Sequence, residues 1–211
     1  MLHQQCEKLD PRIRRTRGLL QDALRNLLEQ KEFDKISVQD ITEAATLNRA
    51  TFYAHYADKF ALLGEMTRVN FLKLLEQRNV LFDGTCATAF HPIILAVCDY
   101  LIELQKSHSF NQHQFDPFVE ATIIDQIGVV LLDGFHRHPS APGVPAEMIA
   151  AAASWAIYGA VKQWVSTPDR APAEEFVAVA AELVRAILTA GTAPAPAPVA
   201  NPQAPPVAPP Q

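Results

Sequence analysis

Residues 37–59, SVQDITEAATLNRATFYAHYADK, constrain the fold more than any other stretch of the chain. Ser37 is a helix N-cap, with Asp40 at the capping-box position three residues on. Val38, Ile41 and Ala45 then share one helical face. Thr46-Leu47 interrupts that face, and Asn48 caps a second helix carrying Arg49, Thr51, Tyr53 and His55. Asp58 can cap a third. A short helix, a turn of about three residues and a polar, aromatic-bearing second helix make a helix-turn-helix, which can place its second helix in the major groove of DNA.

The stretch resembles the DNA-binding core of the tetracycline-repressor (TetR) family of bacterial regulators. Ile41, Ala44, Ala45 and Leu47 carry the resemblance, with Asn48-Arg49-Ala50-Thr51-Phe52-Tyr53-Ala54-His55-Tyr56, Asp58-Lys59 and Leu62-Leu63. Its most specific part is Thr51-Phe52-Tyr53-x-His55-Tyr56-x-x-Lys59. One residue departs from the pattern. The family usually has Gly in the turn, where this chain has Thr46. A turn residue with φ > 0 suits Gly and resists a β-branched side chain. The turn is therefore either built differently or strained.

The 211 residues allow one large or two small domains, and a hydrophobic content of 49% allows a sizeable core. Glycine is scarce and alternating β-branched runs are few, so an all-α fold is expected. No apolar run reaches the roughly 18 residues of a membrane span. Residues 1–10 are polar, so no signal peptide is expected. Cys6, Cys86 and Cys98 are an odd number without metal spacing and suit a reducing cytoplasm. The net charge is −5, but residues 1–60 hold ten Lys/Arg against nine Asp/Glu. Lys8, Arg12, Arg14, Arg15 and Arg17 form a basic run ahead of the first strong helix. A local basic patch on an acidic protein fits a DNA footprint, although a solvated charged terminus has the same composition.

The expected organisation is a flexible arm over 1–11, a helix-turn-helix DNA-binding domain over 12–60, a helical ligand-binding and dimerisation domain over 61–190 and a Pro-rich disordered tail over 191–211. A first helix is expected over 12–31, with Leu20, Ala23, Leu24, Leu27 and Leu28 as its apolar stripe. Phe33 and Ile36 are expected to plug the small core. A long helix over 58–78 would act as a lever between head and body. Four body helices are expected over 88–107, 115–138, 145–166 and 172–189. Residues 192–211 hold eight prolines and no charge, which excludes helix and sheet.

In the head, Arg49 and Thr51 are placed to read bases. Arginine pairs bidentately with guanine, and a threonine methyl can meet that of thymine. Ala50 between them permits close approach, and Gln39 holds a position where family members often touch a base or phosphate. Tyr53, His55 and Lys59, with Ser37 and the Arg14/Arg15/Arg17 group, are expected on phosphates, which fix register without reading sequence. Phe52 and Tyr56 are read as core.

In the body, the resemblance implies that the last two long helices pair with those of a second subunit. A homodimer would present two heads to the half-sites of a near-palindromic operator in double-stranded DNA. The resemblance also implies a cavity for a small-molecule effector, here a largely apolar one. His91, Cys98, Tyr100, Phe118, Ile124, Trp155, Tyr158 and Trp164 are the candidate lining residues, although plain core packing is the better explanation for each taken singly. His108/His113 and His136/His138 lack the spacing and carboxylates of a metal site, and no cofactor is expected. No phosphate loop or nucleophile elbow supports an enzyme. With the resemblance, the expected protein is an all-α, cytoplasmic, homodimeric transcriptional repressor released by a ligand. A constitutive DNA-binding activator and an interaction module that has lost DNA binding are the alternatives.

Overall fold

The computed structural model describes residues 10–80, 82, 90–106, 116–137 and 144–190. Among them are eight α-helices and one 3-10 turn, with no strand. Residues 1–9 of the expected arm, the Pro-rich tail, Cys6, Cys86, His108, His113 and His138 lie outside the described residues, whereas Asp10 and Pro11, expected in the arm, cap and begin the first helix.

Helix α1 spans Pro11–Leu28. Asp10 accepts from Arg12 N at 2.8 Å, and Pro11 occupies the first helical position, where its missing N–H costs nothing. Leu20, Ala23, Leu24 and Leu28 are its buried stripe. It ends three residues before the expected position, and the chain then turns through a 3-10 segment, Phe33–Lys35. Phe33 and Ile36 are both buried there. Helices α2 (Val38–Ala44) and α3 (Arg49–Tyr53) follow, and α2 packs on α1 and α3.

Helix α4, Lys59–Gln77, starts on an Asp58 cap that accepts from Ala61 N at 2.8 Å. It packs on α1 in the head and on α5 and α6 in the body, the position of a lever. Asn79 ends it in a left-handed conformation, φ 49°, while Val80 N bonds back to Leu75 O at 3.0 Å.

The body helices are α5 (Phe90–Lys106), α6 (Asp116–Arg137), α7 (Ala146–Val165) and α8 (Ala173–Ala190). Pro92 lies in the first turn of α5, where a proline breaks no helical bond. Pro172 stands just ahead of α8, its carbonyl accepting from Glu175 N and Phe176 N. Packing of α6 on α7, and of α5 and α7 on α8, closes the core. Phe82 inserts between α5 and α6, 4.9 Å from the Phe90 ring and 5.3 Å from that of Phe135. Gly134 makes room for it, since a Cβ there would lie 2.3 Å from Phe82 Cδ1 and 2.8 Å from its backbone oxygen. No helix among the described residues is long and apolar enough to cross a membrane.

Candidate DNA interface

The turn between α2 and α3 is built with an unusual residue in a usual geometry. Thr46 has φ 55°. Its N–H bonds to Glu43 O at 3.1 Å, and Leu47 N bonds to Thr42 O at 2.9 Å. This is a Schellman end with threonine where glycine normally stands. The strained form of the turn is the one adopted, and it stores about 1–2 kcal/mol. Thr46→Gly is therefore expected to stabilise the protein by about 1 kcal/mol after the added backbone entropy, read as a higher urea midpoint at unchanged slope.

Asn48 then sets the start of α3. Its side-chain oxygen accepts from Thr51 N at 2.7 Å and from the Thr51 hydroxyl at 3.0 Å. Phe52 is fully buried and Tyr56 nearly so, their rings 5.9 Å apart, which fixes the short helix on the head. Burial also raises the Tyr56 hydroxyl above its ordinary pKa. Arg49, Ala50 and Tyr53 are left on the surface and Thr51 and His55 half-buried. Tyr53 is 50% exposed, its ring edge-on to Phe52 at 5.5 Å. The Arg49 guanidinium lies 6.0 Å from the Tyr53 ring centre, with Nη2 3.5 Å from the phenol oxygen. On α2, Gln39 is exposed, as are Arg14 and Arg15 on α1.

Three residues expected on phosphates also have partners within the head. The Lys59 ammonium donates to the carbonyls of Phe33 at 2.9 Å, Asp34 at 3.1 Å and Ile36 at 2.9 Å. It also sits 4.6 Å from the Phe33 ring centre. All three of its N–H groups are used on the carbonyl end of the 3-10 turn, where a cation is favoured. Arg17 is half-buried, with its guanidinium 5.7 Å from the Tyr56 ring centre and Nη1 4.0 Å from Glu65 Oε1. Ser37 donates its hydroxyl proton to Asp40 Oδ2 at 2.7 Å, and its backbone N–H goes to the same oxygen at 2.7 Å. Neither Ser37 donor is left for a phosphate. Sequence spacing could not reveal this, because Lys59 and its three carbonyl partners lie more than twenty residues apart.

Lys59→Met is expected to lower stability by about 2 kcal/mol while leaving the salt dependence of any DNA binding unchanged. A salt slope reduced by about one unit at unchanged stability would restore Lys59 to the phosphates.

The capping box also carries a pH dependence. The Ser37 hydroxyl and backbone N–H, then Lys31 at 2.9 Å, hold the Asp40 carboxyl well below the usual carboxylate range. A depressed folded pKa stabilises above the unfolded value, about 3.9, and that stabilisation is lost as pH falls. Asp40→Asn is expected to cost about 1 kcal/mol at pH 7, with its difference from the wild type shrinking between about pH 4 and pH 2 in urea unfolding.

The candidate ligand residues divide. Cys98, Ile124, Tyr158 and Trp164 are buried and His91 and Tyr100 half-buried. Phe118 and Trp155 are 47% and 59% exposed, so they do not line the interior of the body. Phe118 packs on Phe60 at 4.7 Å, beside the head. Trp155 is on the outer face of α7, two turns from the exposed Met148. Trp164 is held in the α7–α8 turn, with Nε1 donating to Ala171 O at 2.9 Å and its ring stacked 5.0 Å from Phe176. Burial pushes the Cys98 thiol up to about 12, so it holds no reactive thiolate at neutral pH. His136 is exposed, and no group of three His, Cys, Asp or Glu among the described residues could hold a metal.

A three-helix head with an exposed second helix, joined by a long helix to a helical body, defines a helix-turn-helix protein of two-part, all-α design. Residues 20–66 match the sequence model of the bacterial regulatory proteins, tetR family. A 75-residue stretch is 35% identical to the HTH-type transcriptional regulator YxbF of Bacillus subtilis strain 168. That match spans 35% of this chain and 20% of the relative's length. The fold is similar to that of a TetR transcriptional regulator from Streptococcus agalactiae 2603V, at TM-score 0.54 and 20% identity over 82% of this chain and 95% of that one. It is similar also to RolR solved with resorcinol, at TM-score 0.53 and 19% identity over 88% and 97% of the two chains. The likeness to the tetR family thus rests on residues 20–66, the head and the first part of α4, and the chain spans about a fifth of the length of the curated relative it matches.

Proposed function

We propose that the protein is a sequence-specific DNA-binding transcriptional repressor, acting as a homodimer and released by a small, largely apolar ligand. The observation that carries the reading is the face formed by Gln39, Arg49, Ala50 and Tyr53. These side chains are exposed on two short helices whose relative position is fixed by the Thr46 turn and the Asn48 cap. Arg49 and Gln39 read base edges; Tyr53, His55, Arg14 and Arg15 meet phosphates.

Homodimerisation is supported by the outer faces of α7 and α8, where Met148, Trp155, Val179 and Leu183 are all exposed. Such large apolar side chains on adjacent helices suit a second copy of the same surface. For the ligand, the apolar interior around α5, α6 and α7 supports an apolar molecule, and RolR of similar fold was solved with resorcinol. Small aromatics are thus the first compounds to screen, by thermal shift and then by release of bound duplex. The Schellman geometry at Thr46, which keeps α2 and α3 in a helix-turn-helix arrangement, supports the DNA-binding reading over an interaction module.

Selection from a pool of random duplexes tests the reading. Enrichment of a near-palindrome supports it. Failure to retain any duplex even at low salt would overturn it.

A further inference from the structure

We infer that Glu43, absent from the DNA-reading set above, is a positioning residue that sets which base Gln39 reads. The inference rests on the DNA-binding reading and deepens it. Gln39 lies in the first turn of α2 and Glu43 one turn further along, both exposed. Gln39 Nε2 donates to Glu43 Oε1 at 2.8 Å. An ionised carboxylate only accepts, so it can face the amide nitrogen of Gln39 but not the amide oxygen. The flip of the Gln39 amide is therefore set by the charge of Glu43. One N–H goes to Glu43, leaving Oε1 and the second N–H as an acceptor–donor pair. Adenine presents the matching N6 donor and N7 acceptor in the major groove.

The cost side of the arrangement points the same way. A carboxylate on a DNA-facing surface weakens binding to every sequence by repelling phosphates. The other carboxylate of α2, Asp40, is paired with Lys31 and spent on the helix cap. Glu43 is instead hydrogen-bonded to an uncharged amide, so what it contributes is orientation. Gln39 carries three rotatable bonds, and fixing its amide beforehand reduces the ordering lost on binding.

The test is duplex selection and competition binding with the full chain as wild type, Glu43→Gln, Gln39→Ala and the double variant. Gln39→Ala marks the position that Gln39 reads, by flattening its adenine preference. Glu43→Gln is nearly isosteric and exposed, but its amide can also donate to the Gln39 oxygen, which frees the flip. We expect Glu43→Gln to bind all duplexes more tightly and to lose about fivefold in adenine preference at that one position. In the Gln39→Ala background it should change preference no further. Tighter binding with an unchanged base profile would mean that Glu43 acts by charge alone and would overturn the inference. A profile that Gln39→Ala leaves intact would overturn it as well. A wild type that enriches no sequence would overturn the DNA-binding reading and this inference with it.

Discussion

Arg49→Ala is expected to abolish the preference for guanine at one base pair of each half-site. A bidentate arginine–guanine pair is worth about 1–3 kcal/mol, so a dimer reading two half-sites would lose about 2–6 kcal/mol, roughly 30-fold to 10⁴-fold in affinity for its preferred duplex. The basis is positional. Arg49 is the first residue of α3, exposed, and near the ring of Tyr53, with no carboxylate among the described residues paired to its guanidinium. It can turn outward without breaking an ion pair. Fluorescence anisotropy with the selected duplex and its guanine-substituted versions measures both effects. An equal loss on all duplexes, with the base profile intact, would make Arg49 a phosphate contact.

If the protein is the proposed homodimer, Leu183→Glu is expected to separate its subunits and so remove operator binding almost entirely. Val179 and Leu183 are one turn apart on α8 and 64% and 59% exposed, and Trp155 is exposed on α7, which packs against α8. A carboxylate buried between two such faces would lack a partner, a cost of several kcal/mol. Each head alone keeps only half of the readout. Affinity should fall by about 10³-fold or more, towards the non-specific level. Sedimentation of the variant should give a monomer with unchanged helix content. A dimer of unchanged affinity would place the subunit contact elsewhere.

Much of this protein could be read from its residues because the relevant signals are local. Ser37, Asn48 and Asp58 each cap the helix that follows, and the apolar stripe of α1 is the buried one. The body helices fall within a few residues of the expected bounds because proline and polar breaks separate them. What could not be read depends on tertiary contacts. Lys59 has the look of a surface phosphate contact, yet the 3-10 turn folds back over α4 and takes its three donors. Arg17 belongs to a basic run by sequence and to the Tyr56–Glu65 corner by packing. Phe118 and Trp155 are large aromatics in apolar helices, and only helix phase against neighbouring helices puts them outside. Thr46 could be recognised as a misfit but not resolved, since the choice between a rebuilt turn and a strained one depends on backbone geometry.

In the proposed function, the exposed face of α2 and α3 reads double-stranded DNA, two copies at a time. Hydroxyl-radical footprinting of the wild-type protein on its selected duplex tests it most directly. Two protected segments related by a dyad are expected, centred about one helical turn or a multiple of it apart. A duplex left evenly cleaved at saturating protein and low salt would contradict it.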